Sequence, residues 1–395
     1  MFENNRKYIF QSEKQNYIDI SSNLKIVNIH NLKGFKEFFK LPWFVYQNDK
    51  NWVPPLWPEH RDFFKSKNPF WTHANSKLFI AYKNNIAVGR IAAIIDNKFI
   101  ESNNKKIGLF GFFECVNDYE IAKALFNIAE KWLISKGMSV MIGPINGRID
   151  VGCGFLYKGF GSTPYVFSSY SPKYYIEFSE NFGMKKSRDL LVYYLDLGPP
   201  IPEYLKRAAE RCESKNIKLR GFNRLRTRRE LDWWVKLMME TFSHHWGYVD
   251  VSEDEVRTRF GVKQARWVVD TGLFLVAEVN GKPIAFKWTT PDYNQAFKKL
   301  NGKLGLIGVI KFLLYKNKIN RARLNFVGIE KEYRGQGIGS YMNYYTMLEM
   351  KRRGYSGAEC GWIDEKNIAS LRTIEKTGAK LYKKFRIYEK KLTNS

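Results

Sequence analysis

One segment of the sequence has the residue types and the spacing of an anion-binding loop. A strand-like run from Leu324 to Ile329 is followed by three glycines at alternate positions, and then by a helical pattern that continues to Arg353. Glycines allow a tight turn and bring bare backbone N–H groups up to a ligand, and the start of a helix adds free donors and a positive dipole end. The segment therefore predicts a diphosphate site formed by Arg334, Gly335, Gln336, Gly337, Ile338 and Gly339.

Two other interpretations of this loop stay open on spacing alone. A plain turn between a strand and a helix would look the same, because a lone glycine-rich loop is a weak motif. Dinucleotide-binding folds use a related loop with an acidic residue about 20 residues further on, and Glu359 is near that distance.

The elements that must position the loop occur twice along the chain. Hairpin signals at Asn84 and Asn280 are separated by nearly the same number of residues as the helix-ending Gly183 and Gly378. A match at several places with nearly one offset indicates a duplicated domain. Each copy is expected to run strand, helices, hairpin, strand, helix, strand, helix and paired strands. This order predicts an α/β fold, with a mixed α+β sheet and two related lobes.

The repeat divides the chain into four expected parts. A polar tail covers residues 1–24, an N-terminal domain 25–198, a linker helix 199–216 and a C-terminal domain 217–395. At the loop position the first copy reads FFECVNDYEIAKAL, without glycines. The phosphate loop is therefore expected in the second domain alone.

These features resemble the GNAT superfamily of acyl-CoA-dependent N-acyltransferases. The R-G-Q-G-I-G loop follows a strand ending in I-E-K-E-Y and precedes a helix, a strand and the segment that opens at Asn367. The resemblance covers about residues 217 to 392, and the first half resembles the same fold from about residue 25 to 197. It implies a tandem GNAT protein with one acyl-CoA site, similar to N-myristoyltransferases and other two-lobed acyltransferases.

The resemblance also implies roles for individual residues. Backbone groups at Val327, Gly328 and Ile329 would bind the pantetheine arm, and a main-chain N–H there would polarise the thioester carbonyl. Asn367 matches the helix-opening asparagine that reaches the pantetheine arm, although a helix N-cap is an equally good interpretation of it.

The groups that would move protons are less well marked. The usual general acid of the family is a tyrosine where this chain has Ile374, so Tyr382 or Tyr388 would have to replace it. Candidates for the general base are Glu330, Glu359 with its apolar and small sequence neighbours, and the pair His244 and His245. A surface carboxylate, or a histidine at a helix C-terminus, is the structural alternative for each of them.

Two segments are candidates for the acceptor side. Residues 295–321 form an insertion that is apolar in the middle and basic at both ends, which predicts either a helix packed on the other lobe or an interfacial, acyl-lining element. The aromatic segment 41–71, with Trp43, Trp52, Trp57 and Trp71, predicts either core or an apolar acceptor groove.

The arrangement also resembles a bacterial group of tandem GNAT proteins that includes enzymes acylating long-chain amino lipids such as sphingoid bases. This implies a lipid-like amine acceptor or a long acyl donor. The alternatives are an acetyltransferase acting on a soluble amine or peptide, and a non-catalytic CoA-binding module.

The net positive charge of the chain limits the classes of partner that the sequence predicts. The chain has 65 Lys and Arg against 39 Asp and Glu, a formal net charge of +26. Without a nucleic-acid-binding motif, DNA and RNA are the weaker explanation. Binding of the CoA phosphates would account for part of the positive charge, through Arg334, Lys351, Arg352 and Arg353. Compositional drift or an anionic membrane surface would account for the rest.

Cysteine spacing and hydropathy complete the expectations. The four cysteines lie far apart, without a CxxC pair, so neither a zinc site nor a disulfide framework is expected. No signal-peptide pattern or membrane-spanning run is present. We therefore expect a cytoplasmic protein, with peripheral binding at the inner membrane face as the alternative that the basic insertion suggests.

Overall fold

The structure is a computed structural model that describes residues 8–9, 17–56, 61–243 and 245–393. Most of the expected tail 1–24, together with Trp57 and His244, lies outside the described residues. Strands are β1 Tyr17–Ser21, β2 Leu24–Asn28, β3 Ala74–Lys83, β4 Ile86–Asp96, β5 Ile107–Cys115, β6 Val140–Gly143, β7 Phe155–Lys158, β8 Lys185–Asp196, β9 Lys218–Gly221, β10 Phe274–Val279, β11 Lys282–Pro291, β12 Arg321–Ile329, β13 Gly357–Asp364 and β14 Lys380–Lys391. Helices are α1 Leu32–Val45, α2 Asn97–Asn103, α3 Tyr119–Ser135, α4 Tyr174–Asn181, α5 Glu203–Ser214, α6 Thr227–Phe242, α7 Glu253–Phe260, α8 Val262–Val268, α9 Asn294–Leu300, α10 Leu306–Lys316, α11 Ile338–Arg352 and α12 Ile368–Lys376.

The chain forms two compact units that do not follow the chain order. The first unit contains the described residues up to Leu190 together with Phe297–Val309 and the C-terminal segment from Lys384. The second contains Leu191–Ala296 and Ile310–Lys383. Strands β8 and β14 each contribute residues to both units, and the domain boundaries expected from the repeat stay a prediction.

In the first unit the strands follow the order β1-β2-β3-β4-β5-β6-β14, and β7 also pairs with β14. Strands β5 and β6 are parallel, whereas β2 to β5 pair antiparallel. The last strand of this sheet comes from the other end of the chain, where Tyr388 lies opposite Gly143.

In the second unit the order is β13-β12-β11-β10-β9, with the end of β8 next to β13. Strands β12 and β13 are parallel, and β9 to β12 are antiparallel. The two units repeat the same sequence of elements, so the expected mixed α/β fold with two related lobes is confirmed. The paired strands expected at the end of each copy are a single strand of 12 residues, β8 or β14.

The hairpin turns have the backbone geometry that their residues predict. Asn84 and Asn85 have φ of 51° and 62°, and Asn280 and Gly281 have φ of 51° and 76°. Two central residues with positive φ form the tight turn whose twist matches the flanking strands, and Asn and Gly are the residues that adopt it most readily. The hairpins β3–β4 and β10–β11 are therefore encoded locally.

Each sheet is covered by helices through apolar side chains. In α3 the side chains of Ile121, Ala124, Leu125 and Ala129, which recur at helical spacing, are buried against the core of the first unit. Helix α11 has the same place in the second unit, where Ile338, Tyr341 and Met342 are buried beside β10 and β11. This packing fixes where each helix begins relative to the strand before it.

The aromatic segment 41–71 is part of the packing of the first unit. Phe64 and Phe70 are fully buried, and the Trp43 and Trp52 rings meet edge to face at 5.4 Å. The described part of this segment therefore favours the core interpretation over an acceptor groove.

Candidate functional site

The central feature of the second unit is an opening between two parallel strands. Strands β12 and β13 pair only from Arg321 opposite Gly357 to Leu324 opposite Cys360. Strand β12 then continues to Ile329 and β13 to Asp364. The strands diverge beyond Leu324, and this leaves one edge of β12 for another extended molecule to pair with.

The pairing register shows which backbone groups face the opening. The Glu330 N–H donates to the Ile284 oxygen on β11 at 2.9 Å. Because backbone groups of alternate residues point to the same side of a strand, those of Gly328 also point to β11, and those of Val327 and Ile329 point into the opening. Of the three residues predicted for the pantetheine arm, Val327 and Ile329 have backbone groups that face the opening, whereas the Gly328 backbone is used within the sheet. A Cβ at Gly328 would collide with the Phe286 ring.

A bulge interrupts β12 at the point where the opening begins. The register with β11 shifts between the pairs Trp288–Phe326 and Thr289–Leu324, which leaves Asn325 as the extra residue. The Asn325 side-chain amide donates to the Thr290 hydroxyl at 3.1 Å, and its buried Oδ1 has no hydrogen-bond partner among the described residues. Sequence reasoning missed this residue because nothing in the residue order marks a bulge.

The glycine-rich loop follows β12 and begins α11. Gly335 and Gly337 have φ of 79° and 87°. No described atom lies within 4 Å of a Cβ built on Gly335, and the nearest to one on Gly337 is the Ala208 Cβ at 4.0 Å. In the described chain, no acceptor receives the N–H groups of Gly337, Ile338, Gly339 or Ser340. The loop is an open cradle of donors at the start of a 15-residue helix.

The charged residues divide between the two ends of α11. Arg334 is exposed at the loop and donates to the Ile329 oxygen at 3.0 Å. Lys351, Arg352 and Arg353 lie at the opposite end of the helix, about 20 Å away at 1.5 Å per residue. There Lys351 donates to the Pro199 oxygen, and both arginines pair with Glu349. The expectation that these three cations serve the phosphates is wrong, because an α-helix is an extended rod.

The two carboxylate candidates differ in their surroundings. Glu359 is completely buried on β13, with Arg323 at 2.7 Å from one oxygen and Lys383 at 3.2 Å from the other. These cations come from β12 and β14, in place of the apolar and small neighbours expected from the sequence. Glu330 is partly exposed and pairs with Lys282 at 3.1 Å, and this hydrogen bond raises the pKa of Lys282.

His245 lies against an aromatic wall next to the bulge. Its ring is 4.8 Å from Phe242, whose ring is 5.5 Å from Phe326 on β12. Phe260 packs on Phe326 at 6.3 Å. Phe242, Phe260 and Phe326 are all partly exposed. The rings of Phe242 and Phe326 thus connect His245 to strand β12.

The remaining candidates are placed as follows. Tyr382 is half-buried on β14, with its ring 5.7 Å from Tyr194. Tyr388 belongs to the first unit, where its hydroxyl donates to Glu180 at 3.1 Å and burial raises its pKa. Asn367 caps α12 and accepts the Ser370 N–H at 3.1 Å, as the N-cap interpretation predicts.

A buried polar pair lies behind the opening. Lys287 on β11 donates to Asn343 on α11, and both are buried. Burial lowers the pKa of Lys287 to about 8 and raises the pKa of the neighbouring Cys360 thiol to about 12. The thiol is therefore protonated and a poor nucleophile.

The first unit has the same divergence of strands, but its own chain fills it. Strands β5 and β6 pair only from Ile107 to Leu109 on β5. Beyond that point the Ile145 N–H donates to the Phe110 oxygen at 2.7 Å, and the Asn146 side chain accepts the Phe112 N–H at 2.6 Å. With no glycine loop after β5, this unit lacks both parts of the site that the second unit has.

The described residues contain no cluster of His, Cys, Asp and Glu able to hold a metal ion. Among those same residues, no helix is long and apolar enough to cross a membrane.

Known proteins match both the site and the whole chain. A model of the acetyltransferase (GNAT) family matches residues 234–379, which include the opening, the loop and α11. Protein YghO of Escherichia coli K12 is 31% identical over 371 residues, covering 92% of this chain and 94% of that protein. Bacterial ceramide synthase of Caulobacter vibrioides is 30% identical over 380 residues, covering 94% and 98%.

Among solved structures, a tandem GNAT protein from the clavulanic acid biosynthesis pathway has the same fold. It superposes with a TM-score of 0.55 at 11% identity, over 94% of this chain and 99% of that one. The glycine loop after β12 and the relatives that match nearly the whole chain point to the same family. The chain belongs to the GNAT family, whose members use acyl-CoA as co-substrate, and is a GNAT-type N-acyltransferase with two related lobes.

Proposed function

We propose that this enzyme transfers an acyl group from acyl-CoA to a long-chain, lipid-like amine. The observation that carries this proposal is the partly exposed aromatic wall of Phe242, Phe260 and Phe326 at the bulge of β12. Such a wall suits an alkyl chain better than a polar amine, because burying apolar surface is the main source of affinity for an alkyl group. The relative named bacterial ceramide synthase supports a lipid-like substrate.

The donor would occupy the opening and the loop. The segment Arg334–Gly339 would hold the diphosphate through the helix dipole and the N–H groups of Gly337, Ile338 and Gly339, which have no acceptor in the described chain. The backbone groups of Val327 and Ile329 would pair with the amides of pantetheine as a neighbouring strand would. Gly328 would leave room for the Phe286 ring, with which a Cβ at this position would collide. Asn367 would contribute by capping α12.

The reaction proposed is direct attack. The amine nitrogen forms a bond to the thioester carbonyl carbon, the carbon–sulfur bond breaks, and the nitrogen loses one proton while the departing sulfur gains one. Among the base candidates we favour His245, because Phe242 and Phe326 connect it to the opening. Glu330 is the competing base and Tyr382 the candidate acid.

The side chains of Glu359 and Asn325 receive different roles. Both oxygens of Glu359 face buried cations, so we assign it to the stability of the sheet rather than to proton transfer. The buried Oδ1 of Asn325 has no hydrogen-bond partner in the part of the chain that the structure describes, and it is a candidate acceptor for an N–H of the bound amine or pantetheine.

For location we propose the cytoplasm, with peripheral association at the anionic inner membrane face, where a lipid-like acceptor would be found. The amine acceptor and an anionic membrane surface are then the partners besides acyl-CoA.

A substrate panel tests the proposal. Purified enzyme is incubated with acetyl-CoA through palmitoyl-CoA, each with sphinganine dispersed in detergent or with a soluble diamine, and CoA release and product mass are measured. We expect an amide product with sphinganine and little with the diamine. Preferred acetylation of the soluble amine would contradict the lipid-like acceptor and support the alternative acetyltransferase.

A further inference from the structure

Helix α10 exposes nearly all of its apolar side chains. The exposed residues have relative exposures from 37% to 81% and are Leu306, Ile307, Val309, Ile310, Leu313 and Leu314. Soluble proteins rarely leave a contiguous apolar surface of this kind uncovered, and such patches usually mark an interaction site.

The exposed residues form one continuous arc. At about 100° per residue, the six apolar side chains cover about 160° of the helix. Lys311 lies just beyond one margin of the arc, and Lys316 lies just beyond the other. The opposite side carries buried Gly308 and the half-buried Phe312 and Tyr315. An apolar arc edged by lysines on both sides is the pattern of a helix lying in a membrane interface, where lysines extend to the headgroups.

The charge around α10 favours an anionic partner. No acidic residue occurs between Asn294 and Ile329. The lysines of this stretch are Lys298, Lys299, Lys303, Lys311, Lys316 and Lys318. An anionic bilayer attracts such a cluster of cations when it lies near the membrane surface.

A cluster of arginines lies on a neighbouring part of the second unit. Arg226, Arg228, Arg229 and Arg266 line a hollow of about 390 Å³ beside Leu225, which is 98% exposed.

A series of contacts runs from Arg224, next to Leu225 in the chain, to α10. Arg224 donates to the Val269 oxygen at 2.6 Å, and Tyr293 donates to the Val268 oxygen at 3.3 Å. The Tyr293 ring is in turn 5.8 Å from Phe312 of α10. These contacts reach the side of α10 that carries Phe312, opposite its apolar arc, and Leu225 is a second exposed leucine with arginines beside it.

We propose that α10 docks this enzyme on an anionic lipid bilayer, with its apolar arc in the boundary between headgroups and acyl chains. The helix has 11 residues and is about 16 Å long, against about 30 Å of hydrocarbon, so it lies in the interface and does not span it. This inference names the surface for the membrane association proposed above, while its test does not depend on catalysis.

A fluorescent probe tests the contact directly. All four native cysteines are buried, so Leu314→Cys can be labelled selectively with acrylodan. Ile86→Cys is the matched control, because Ile86 is also a strongly exposed apolar residue, at the β3–β4 turn. With phosphatidylcholine vesicles containing phosphatidylglycerol, we expect a blue shift at position 314 and none at 86. Equal response at both positions, or none at 314, overturns the proposal.

Vesicle flotation measures the contribution of the arc. Ile310→Glu should reduce binding to the same vesicles by about tenfold or more, because it removes an apolar side chain from the interface. Ile86→Glu should bind like the wild type. Lys311→Glu with Lys316→Glu should abolish the preference for phosphatidylglycerol over phosphatidylcholine. Unchanged binding of Ile310→Glu overturns the assignment.

Two further readouts separate the possible failures. If position 314 responds to protein concentration without vesicles, and sedimentation shows a dimer, α10 is a contact between copies and the proposal is overturned. Acyl transfer to detergent-dispersed sphinganine should be equal in Ile310→Glu and the wild type. Vesicle binding without any transfer would contradict the proposed acceptor and still support docking through α10.

Discussion

Gly337 and Gly354 have the same backbone geometry at opposite ends of one helix. Their φ values are 87° and 73°, and a Cβ on either would meet no described atom closer than 4.0 Å. Any other residue carries similar strain at both positions. The two positions therefore separate the effect of strain from the effect of the loop.

We expect Gly337→Glu to weaken CoA binding by at least about tenfold, or about 1.4 kcal/mol, because a carboxylate would then face the phosphates. Gly354→Glu should bind CoA like the wild type. Isothermal titration calorimetry with CoA provides the comparison, and circular dichroism checks that both variants fold. Equal affinities of the two variants would contradict the assignment of the loop.

His245 and Glu330 are the competing bases. If His245 takes the proton, His245→Gln should lower kcat by about 10²-fold or more, while CoA affinity stays unchanged. The pH–rate profile should also lose its acidic limb, because an unprotonated base is no longer required. The same loss in Glu330→Gln with a normal profile in His245→Gln would assign the role to Glu330.

The residue scale also shows the limit of sequence reasoning. The glycines could be recognised because their conformational role is local. The partners of Glu359 could not, since Arg323 and Lys383 reach it from two other strands. The same holds for His245, whose place beside β12 depends on the packing of Phe242 against Phe326.

At the scale of elements, the two openings explain why only one lobe has the site. In the first unit, the Phe110 oxygen and the Phe112 N–H bond to Ile145 and to the Asn146 side chain, whereas in the second unit the Val327 and Ile329 backbones face the opening and the Ile329 oxygen accepts from Arg334. The absence of glycines predicted a lost phosphate cradle, but the filling of the gap depends on a loop whose path the sequence does not mark.

Asn146→Ala should lower the free energy of unfolding by about 1 to 3 kcal/mol, because the Phe112 N–H loses its acceptor. Urea denaturation measures this change. Calorimetry should still find one CoA site per chain with unaltered affinity, because the second unit is untouched. A second site appearing or disappearing in this variant would contradict the division of roles between the lobes.

The insertion 295–321 is another case in which the local sequence predicts a helix and tertiary packing decides which side of it is exposed. Its apolar centre and basic ends are visible in the sequence, and they left open whether the helix packs inward or faces outward. The structure has the apolar arc of α10 exposed, because only Gly308 and the side of Phe312 and Tyr315 are covered.

At the scale of the whole molecule, the basic residues that produce the net charge of +26 have several different roles. Some cations neutralise buried carboxylates, as Arg386 does for Asp189 and as Arg323 does for Glu359. Others lie around α10, where they edge the apolar arc proposed to meet lipid, and in the arginine cluster beside Leu225. Lys351, Arg352 and Arg353 bond to neighbouring groups at the end of α11 and therefore do not serve the phosphates of CoA.

The sequence by itself determined the repeat, the mixed α/β fold, the hairpin turns and the glycine cradle, because each depends on residues close together in the chain. The tertiary structure decided which backbone groups of β12 face the opening, which cations meet Glu359 and which lobe stays open. It also decided that β14 completes the sheet of the first unit. These features depend on strand pairing and side-chain packing between distant segments, and no local pattern of residues encodes such contacts.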